Sequence, residues 1–175
     1  MSEPWADWIP GVLANHQIRE LEKGGYLVDL QDPKNAIDAS AVDLHLAAEA
    51  YETIKGSIKP FGGQYLHQIK TDDLISRIEP DESGAFKLDR GKTYIFEVKE
   101  RLEKRDELVK AGMFGQATPK SSVGRMDVLV RLIVDCMDAY DGFIPDENLN
   151  RSSGHIFLEV TPITFNVRVK PGVAF

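Results

Sequence analysis

Short strand-like runs, separated by glycine and proline, are the feature that most constrains the fold of this 175-residue chain. The clearest runs are the alternating residues 92–98, the apolar residues 126–134 and residues 157–160. Glycines and prolines interrupt the chain between these runs, most densely in residues 47–91. Because β-branched and aromatic residues favour strands and Gly and Pro favour turns, this pattern predicts an all-β fold. We expect a barrel or jelly-roll-like sandwich, mainly β with a few short helices.

The amino-terminal 25 residues are expected to form an arm and one short helix ahead of the strands. Asn15 is the expected N-cap and Gly24-Gly25 the C-terminal stop. Ile18 and Leu21 mark the inner face of this helix.

Three later segments carry weaker local signals. Residues 39–46 alternate in polarity and predict a half-buried strand, whereas residues 72–78 suggest a helical turn. Residues 99–110 are densely charged; they have helical propensity, and we expect a solvated face there. The alternative for this last segment is a loop or a short helical turn between strands.

Composition excludes several classes of protein. A formal net charge of −7 argues against a general nucleic-acid binder. The single cysteine, Cys136, allows neither an intrachain disulfide nor a cysteine-based metal cage, and we expect it to fill the core. With no run of 18 apolar residues and no signal-peptide pattern, the chain is expected to be soluble, cytoplasmic and without a membrane partner.

One hexapeptide, Lys120-Ser-Ser-Val-Gly-Arg125, gathers two cations and two hydroxyls without an acid. Arg offers a planar fork of donors and Lys a point charge, so the set suits a polyanion such as a triphosphate. It is not a Walker A loop, because the preceding Gly-x-x-x-x-Gly is missing and a strand-like run follows. An ordinary polar turn before a strand is the alternative interpretation.

Two acids stand in strand-like surroundings. Glu159 is flanked by Leu158 and Val160, where a carboxylate is unfavourable unless it has partners, and such a group is suited to accepting and delivering protons. The alternative is an edge-strand Glu that pairs with Arg168 or Lys170.

Asp43 has two interpretations of the same kind. It could serve a site, but a buried acid that holds backbone donors is the interpretation we favour.

The hexapeptide 120–125, followed downstream by Gly154-His-Ile-Phe-Leu-Glu-Val160, resembles the dCTP deaminase/dUTPase family. The likeness is greatest to the amino-terminal half of the long, two-module form of dCTP deaminase, and it covers nearly the whole chain. Gly11-Val-Leu-Ala with Ile18-Arg19 resembles the family's opening helix. Ala39-Ser-Ala-Val-Asp-Leu-His-Leu46 and Phe157-Leu-Glu-Val-Thr-Pro162 resemble its P-A-S-L-D-L-R-L and Y-L-E-I-S-P strands.

This resemblance implies one domain, residues 1–175, in which residues 26–175 form a dUTPase-like distorted β-barrel. It also implies a homotrimer or pseudo-trimer with active sites built between subunits. The barrel is expected to be truncated at its C-terminal end, where the family continues into a closing tail or a second module. Residues 146–153 replace the family's Gly-aromatic-x-Gly turn with a longer, more polar segment.

The implied reaction is hydrolytic deamination of dCTP to dUTP and ammonia. Glu159 would activate the water that attacks C4 and then pass protons to the ring nitrogen and the leaving ammonia. Ser121 and Arg125 would help to orient that water. The sequence lacks the H-x-E…P-C-x-x-C signature of the zinc deaminases, so no zinc is expected.

The same resemblance implies how the nucleotide is held. Lys120, Ser121, Ser122 and Arg125 would bind the triphosphate, and Mg²⁺ would enter on the nucleotide rather than in a protein cage. Asp141 is the expected contact to the sugar or base, with Asp138 as the alternative.

Two other functions stay open. A dUTPase, or an enzyme that combines both activities, is one; relatives that only hydrolyse dUTP lack the Glu of the Leu-Glu pair, so Glu159 favours deamination. The other is a non-catalytic nucleotide-binding half that needs a missing C-terminal module.

Overall fold

The computed structural model describes residues 3–54, 56–57, 60–144 and 151–175. Within these ranges the chain forms five short helices and eleven strands, which confirms a mainly β fold with few short helices. The helices are α1 (Asn15–Lys23), α2 (Pro33–Ala36), α3 (Tyr65–Thr71), α4 (Arg105–Lys110) and α5 (Ser121–Arg125). The strands are β1 (Leu27–Val28), β2 (Leu46–Thr53), β3 (Ile75–Ile78), β4 (Phe86–Leu88), β5 (Thr93–Val98), β6 (Arg101–Leu102), β7 (Gly115–Gln116), β8 (Val128–Val134), β9 (Gly142–Phe143), β10 (Ile156–Pro162) and β11 (Val167–Val169).

The centre of the fold is a five-stranded antiparallel sheet in the order β3-β2-β5-β10-β8. The three runs that were clearest in the sequence became β5, β8 and β10, which are neighbours in this sheet. Three two-stranded pairs, β1-β6, β4-β11 and β7-β9, complete the described strands. None of the helices in the described ranges is both long and apolar enough to cross a membrane.

The sheet is buried on both faces. Leu158 and Val160 of β10 belong to the main core, together with Phe96 and Leu132 on the flanking strands. Because side chains alternate along a strand, Phe157 and Glu159 point to the opposite face, which we call the Glu159 face. That face carries a smaller apolar cluster: Tyr51, Tyr65, Ile69, Ile75, Ile95, Ile133 and Phe157.

The first helix begins one residue earlier than the sequence predicts, and its cap is different. Asn15 is the first helical residue rather than the N-cap, so that prediction is wrong. The side-chain oxygen of Gln17 accepts a hydrogen bond from the Ala14 N–H, and the Asn15 amide donates to the carbonyls of residues 37 and 38 instead. Gly24 ends the helix and Ile18 is buried, as predicted.

The strand predicted for residues 39–46 is wrong, because β2 begins only at Leu46. The His45 main-chain N–H donates to Glu100 Oε2 at 2.8 Å, and the His45 ring nitrogen Nδ1 lies 2.7 Å from Glu100 Oε1. Glu100 is fully buried, so the expectation that residues 99–110 form a solvated face also fails at this position. The helix expected within that segment is present as α4.

Residues 72–78 do not form the expected helical turn. The helix in this region is α3, which ends at Thr71, and the strand β3 follows at Ile75. Cys136 is buried, with 3% of its surface exposed, as expected of a residue that fills the core.

Asp135 connects the start of α3 to Ser153. It is 1% exposed; its Oδ1 accepts the Tyr65 N–H at 2.6 Å, and its Oδ2 accepts the N–H and hydroxyl of Ser153 at 2.9 and 2.7 Å. The carboxylate therefore joins the start of α3 to the segment that leads into β10.

Replacing Asp135 with Ala should lower the free energy of unfolding by about 3 kcal/mol, because buried donors then lose a charged acceptor. Asp138→Ala, an exposed acid three positions away, is the control and should change it by less than about 0.5 kcal/mol. Urea unfolding at neutral pH measures both. Equal midpoints for the two variants would contradict the assigned role of Asp135.

Candidate functional site

The predicted phosphate-binding hexapeptide forms one helical turn at the surface. Residues 121–125 are α5, with Lys120 at the N-cap position, and the predicted strand follows as β8 from Val128, two residues later than the start of the apolar run. Val123 is buried and anchors this turn, whereas Ser121, Ser122 and Arg125 are exposed. We call Lys120, Ser121, Ser122 and Arg125 the α5 cluster. Its four polar side chains are presented together to solvent, which is the arrangement a polyanion would require.

Lys120 forms an ion pair with Asp43 across 77 positions of sequence. The two side chains are 38% and 36% exposed, so Asp43 is not the buried acid we favoured. Its side chain binds a cation rather than backbone donors, and that interpretation is wrong. An anion that binds Lys120 would compete with this carboxylate.

A surface groove of about 450 Å³ runs beside α5. Its lining includes Ser122 and Val123 of α5, and Lys170 and the last residues of the chain. Glu159 is not among its lining residues. The groove therefore adjoins the α5 cluster, not the predicted catalytic acid.

Glu159 lies at the middle of an interior strand. Its β10 position is opposite Ile95 of β5 and Arg131 of β8, and only 3% of its surface is exposed. The edge-strand interpretation is therefore wrong, because β10 has a neighbour on both sides. Arg168 on β11 pairs with Asp81 instead.

Tyr140 and Arg131 surround Glu159 on this face. The Tyr140 hydroxyl donates to Glu159 Oε2 at 3.4 Å, and the Arg131 guanidinium lies 4.3 Å from the centre of the Tyr140 ring. Arg131 Nε donates to Asp141 Oδ2 at 2.6 Å, while Asp141 Oδ1 accepts the Leu132 N–H at 2.9 Å. We call Glu159, Tyr140, Arg131 and Asp141 the Glu159 cluster.

The surroundings of Glu159 keep the phenols of Tyr140 and Tyr65 protonated. Burial first, and then the charge of Glu159, raise the pKa of Tyr140 to about 12. The pKa of Tyr65 is also raised, first by burial and then by the charge of Glu159. Both hydroxyls therefore remain donors at neutral pH.

The structure groups the predicted site residues into two sets. The α5 cluster holds four of them at the surface, and the Glu159 cluster holds Glu159 together with Asp141. Asp138, the alternative to Asp141, is exposed. The roles assigned to these residues stay predictions. Of the replacement turn at residues 146–153, residues 146–150 lie outside the described residues.

Sequence reasoning did not identify Arg131 or Tyr140. Arg131 had a visible signal, because it is the one charge within the apolar run of β8, VLVRLIV. Tyr140 had none, since its contact with Glu159 joins residues 19 positions apart. In the described ranges, no group of three or more His, Cys, Asp or Glu side chains is placed to hold a metal ion.

Known proteins resemble this chain over almost its whole length. The family model for the 2′-deoxycytidine 5′-triphosphate deaminase (DCD) N-terminal domain matches residues 9–175. The crystal structure of 2′-deoxycytidine 5′-triphosphate deaminase from Agrobacterium tumefaciens superposes with a TM-score of 0.78 at 26% sequence identity. That likeness, which confirms the dUTPase-like β fold, covers 94% of this chain and 45% of the Agrobacterium chain.

Sequence comparison with curated proteins gives no match. This chain spans less than half the length of the Agrobacterium enzyme. The family model nevertheless covers all but its first eight residues. The chain therefore belongs to the family of dCTP deaminase N-terminal domains.

Proposed function

We propose that this chain is a dCTP deaminase, a hydrolase that converts dCTP and water into dUTP and ammonia. The observation that carries the proposal is the position of Glu159, a carboxylate 3% exposed at the middle of an interior strand in a chain of this family. A nucleotide enzyme of this class would supply dUTP for the formation of pyrimidine deoxynucleotides, and we place it in the cytoplasm.

Glu159 is the proposed general base and acid. It takes a proton from water as the oxygen attacks C4 of the cytosine ring, and a proton passes to N3. Glu159 then takes the proton of the new C4 hydroxyl and delivers it to the amino group, so the tetrahedral centre collapses to the C4 carbonyl and ammonia leaves. A buried carboxylate suits both transfers because little bulk water competes for its protons.

The α5 cluster is the proposed triphosphate site. Lys120, Ser121, Ser122 and Arg125 would bind phosphate oxygens, and Ser121 and Arg125 would also help to orient the attacking water. The surface position of α5 and the burial of Glu159 favour a site in which one copy supplies the carboxylate and another supplies α5. We therefore propose a homotrimer or pseudo-trimer with shared sites.

Mg²⁺ would enter on the triphosphate. Phosphate oxygens and water are the ligands this ion prefers in nucleotide sites, and they need no dedicated cage of protein side chains. The residues of the α5 cluster are donors, so they suit the phosphate oxygens that the ion leaves uncoordinated.

A nucleotide-binding half without catalysis is the second candidate. The observation that favours it is the coverage, since this chain corresponds to 45% of the Agrobacterium enzyme. In that case the α5 cluster would bind dCTP, and the remaining part of a site would come from another module.

Glu159→Gln should lower the rate of dUTP formation by about 10²-fold or more, because the amide cannot accept the proton, while dCTP binding is retained. Glu97→Gln is the matched control: Glu97 lies on the adjacent strand and pairs with His155 rather than with the Glu159 cluster. Nucleotide chromatography after incubation with dCTP and Mg²⁺ measures the product.

Wild-type turnover that survives in Glu159→Gln would refute the mechanism. A wild-type chain that binds dCTP but forms no dUTP would favour the second candidate.

Arg125→Lys should lower kcat/KM by roughly tenfold or more, since a point charge replaces a planar fork that can hold two oxygens at once. Arg77→Lys serves as the control, because Arg77 is exposed on β3, pairs with Glu49 and Glu79, and does not line the groove beside α5. Steady-state kinetics with dCTP compare the two. Unchanged kinetics in Arg125→Lys would show that the reaction needs no bidentate contact at this position.

A further inference from the structure

The environment of Glu159 contains a linked set of side chains that the proposed mechanism does not use. A carboxylate with so little exposure is stable only when fixed groups donate to its oxygens. Tyr140 is one such group, at 3.4 Å from Oε2. This is long for an O–H···O hydrogen bond, so the position of the ring matters for how well the hydroxyl reaches the carboxylate.

The Tyr140 ring is fixed by charge on its other side. The Arg131 guanidinium lies over it at 4.3 Å, a distance at which a cation is attracted to the face of the ring. Arg131 is also the direct cross-strand neighbour of Glu159, so the cation and the carboxylate project from the same face of adjacent strands. The ring therefore lies beside both the guanidinium and the carboxylate.

Hydrogen bonds between Asp141 and β8 fix the position of the Arg131 side chain beside the Tyr140 ring. Asp141 N–H donates to the Leu132 carbonyl at 2.9 Å, and the Leu132 N–H donates to Asp141 Oδ1 at 2.9 Å. The second oxygen of Asp141 binds Arg131 Nε at 2.6 Å. Contacts thus run without a break from the β8 backbone through Asp141 and Arg131 to the Tyr140 ring and the Glu159 carboxylate.

From this geometry we propose that Tyr140 is a positioning residue, whose hydroxyl holds the Glu159 carboxylate in the orientation for proton transfer while Arg131 and Asp141 fix the phenol ring. The inference rests on the proposed function of Glu159 and extends it to three residues that the family resemblance did not assign to this task. Because the pKa of Tyr140 is raised to about 12, its hydroxyl donates throughout the neutral range.

Tyr140→Phe removes only the hydroxyl and should lower kcat for dCTP by roughly tenfold, with KM changed less than about twofold. Tyr51→Phe is the matched control, because Tyr51 lies on the same face and donates at 3.0 Å to a different carboxylate, Glu49. It should keep wild-type kinetics. Urea unfolding of both variants separates a loss of positioning from a loss of fold.

A second measurement does not need turnover. In protein labelled with ¹³Cζ-tyrosine, the signal that disappears in Tyr140→Phe belongs to Tyr140, and the onset of its ionisation is followed between pH 8 and 11. Glu159→Gln removes the negative charge that opposes phenolate formation, so this pKa should fall from about 12 while staying above its ordinary value of 10.

The two readouts distinguish failure of this inference from failure of the proposed function. If the wild-type chain forms dUTP and Tyr140→Phe has wild-type kcat, the positioning role is overturned and the deaminase proposal stands. If the wild-type chain forms no dUTP, the deaminase proposal fails and the titration decides alone: a Tyr140 pKa that Glu159→Gln leaves unchanged overturns the contact.

Discussion

The burial of one carboxylate, Glu159, in the middle of a five-stranded sheet is the constraint on which the rest of the structure depends. Desolvation of a charge is unfavourable, so the sheet must supply partners and rigid walls around it. Arg131 and Tyr140 are its polar neighbours, and the apolar cluster that contains Phe157 and Tyr65 covers the same face of the sheet. The strand order matters because only an interior strand is shielded from both sides.

The sequence predicts β5, β8 and β10 well, because their apolar or alternating patterns are local and strong. It misplaces the start of β2, because His45 is held by Glu100, 55 positions away, instead of by a strand ladder. The burial of Glu100 within a charged run depends on the same distant contact. Pattern reasoning fails at these positions because the deciding partner is not a neighbour in sequence.

The candidate site divides in a similar way. The motifs at 120–125 and 154–160 are visible in the sequence alone, and they are enough to select Glu159 and the α5 cluster as candidate site residues. The contacts of those residues do not follow from the motifs. Lys120 meets Asp43 across 77 positions, and Tyr140 meets Glu159 across 19. Such pairs depend on sheet register and loop paths, which local patterns do not encode.

The position at which oxygen from water enters the nucleotide tests the proposed hydrolytic deamination most directly. Incubation of the wild-type chain with dCTP and Mg²⁺ in H₂¹⁸O, followed by mass spectrometry, shows where new oxygen enters the nucleotide. Hydrolytic deamination at C4 predicts dUTP with one ¹⁸O atom in the base, released together with ammonia. Recovery of unlabelled dCTP, or of label only in a phosphate group, would contradict the proposal that this chain is a hydrolytic deaminase.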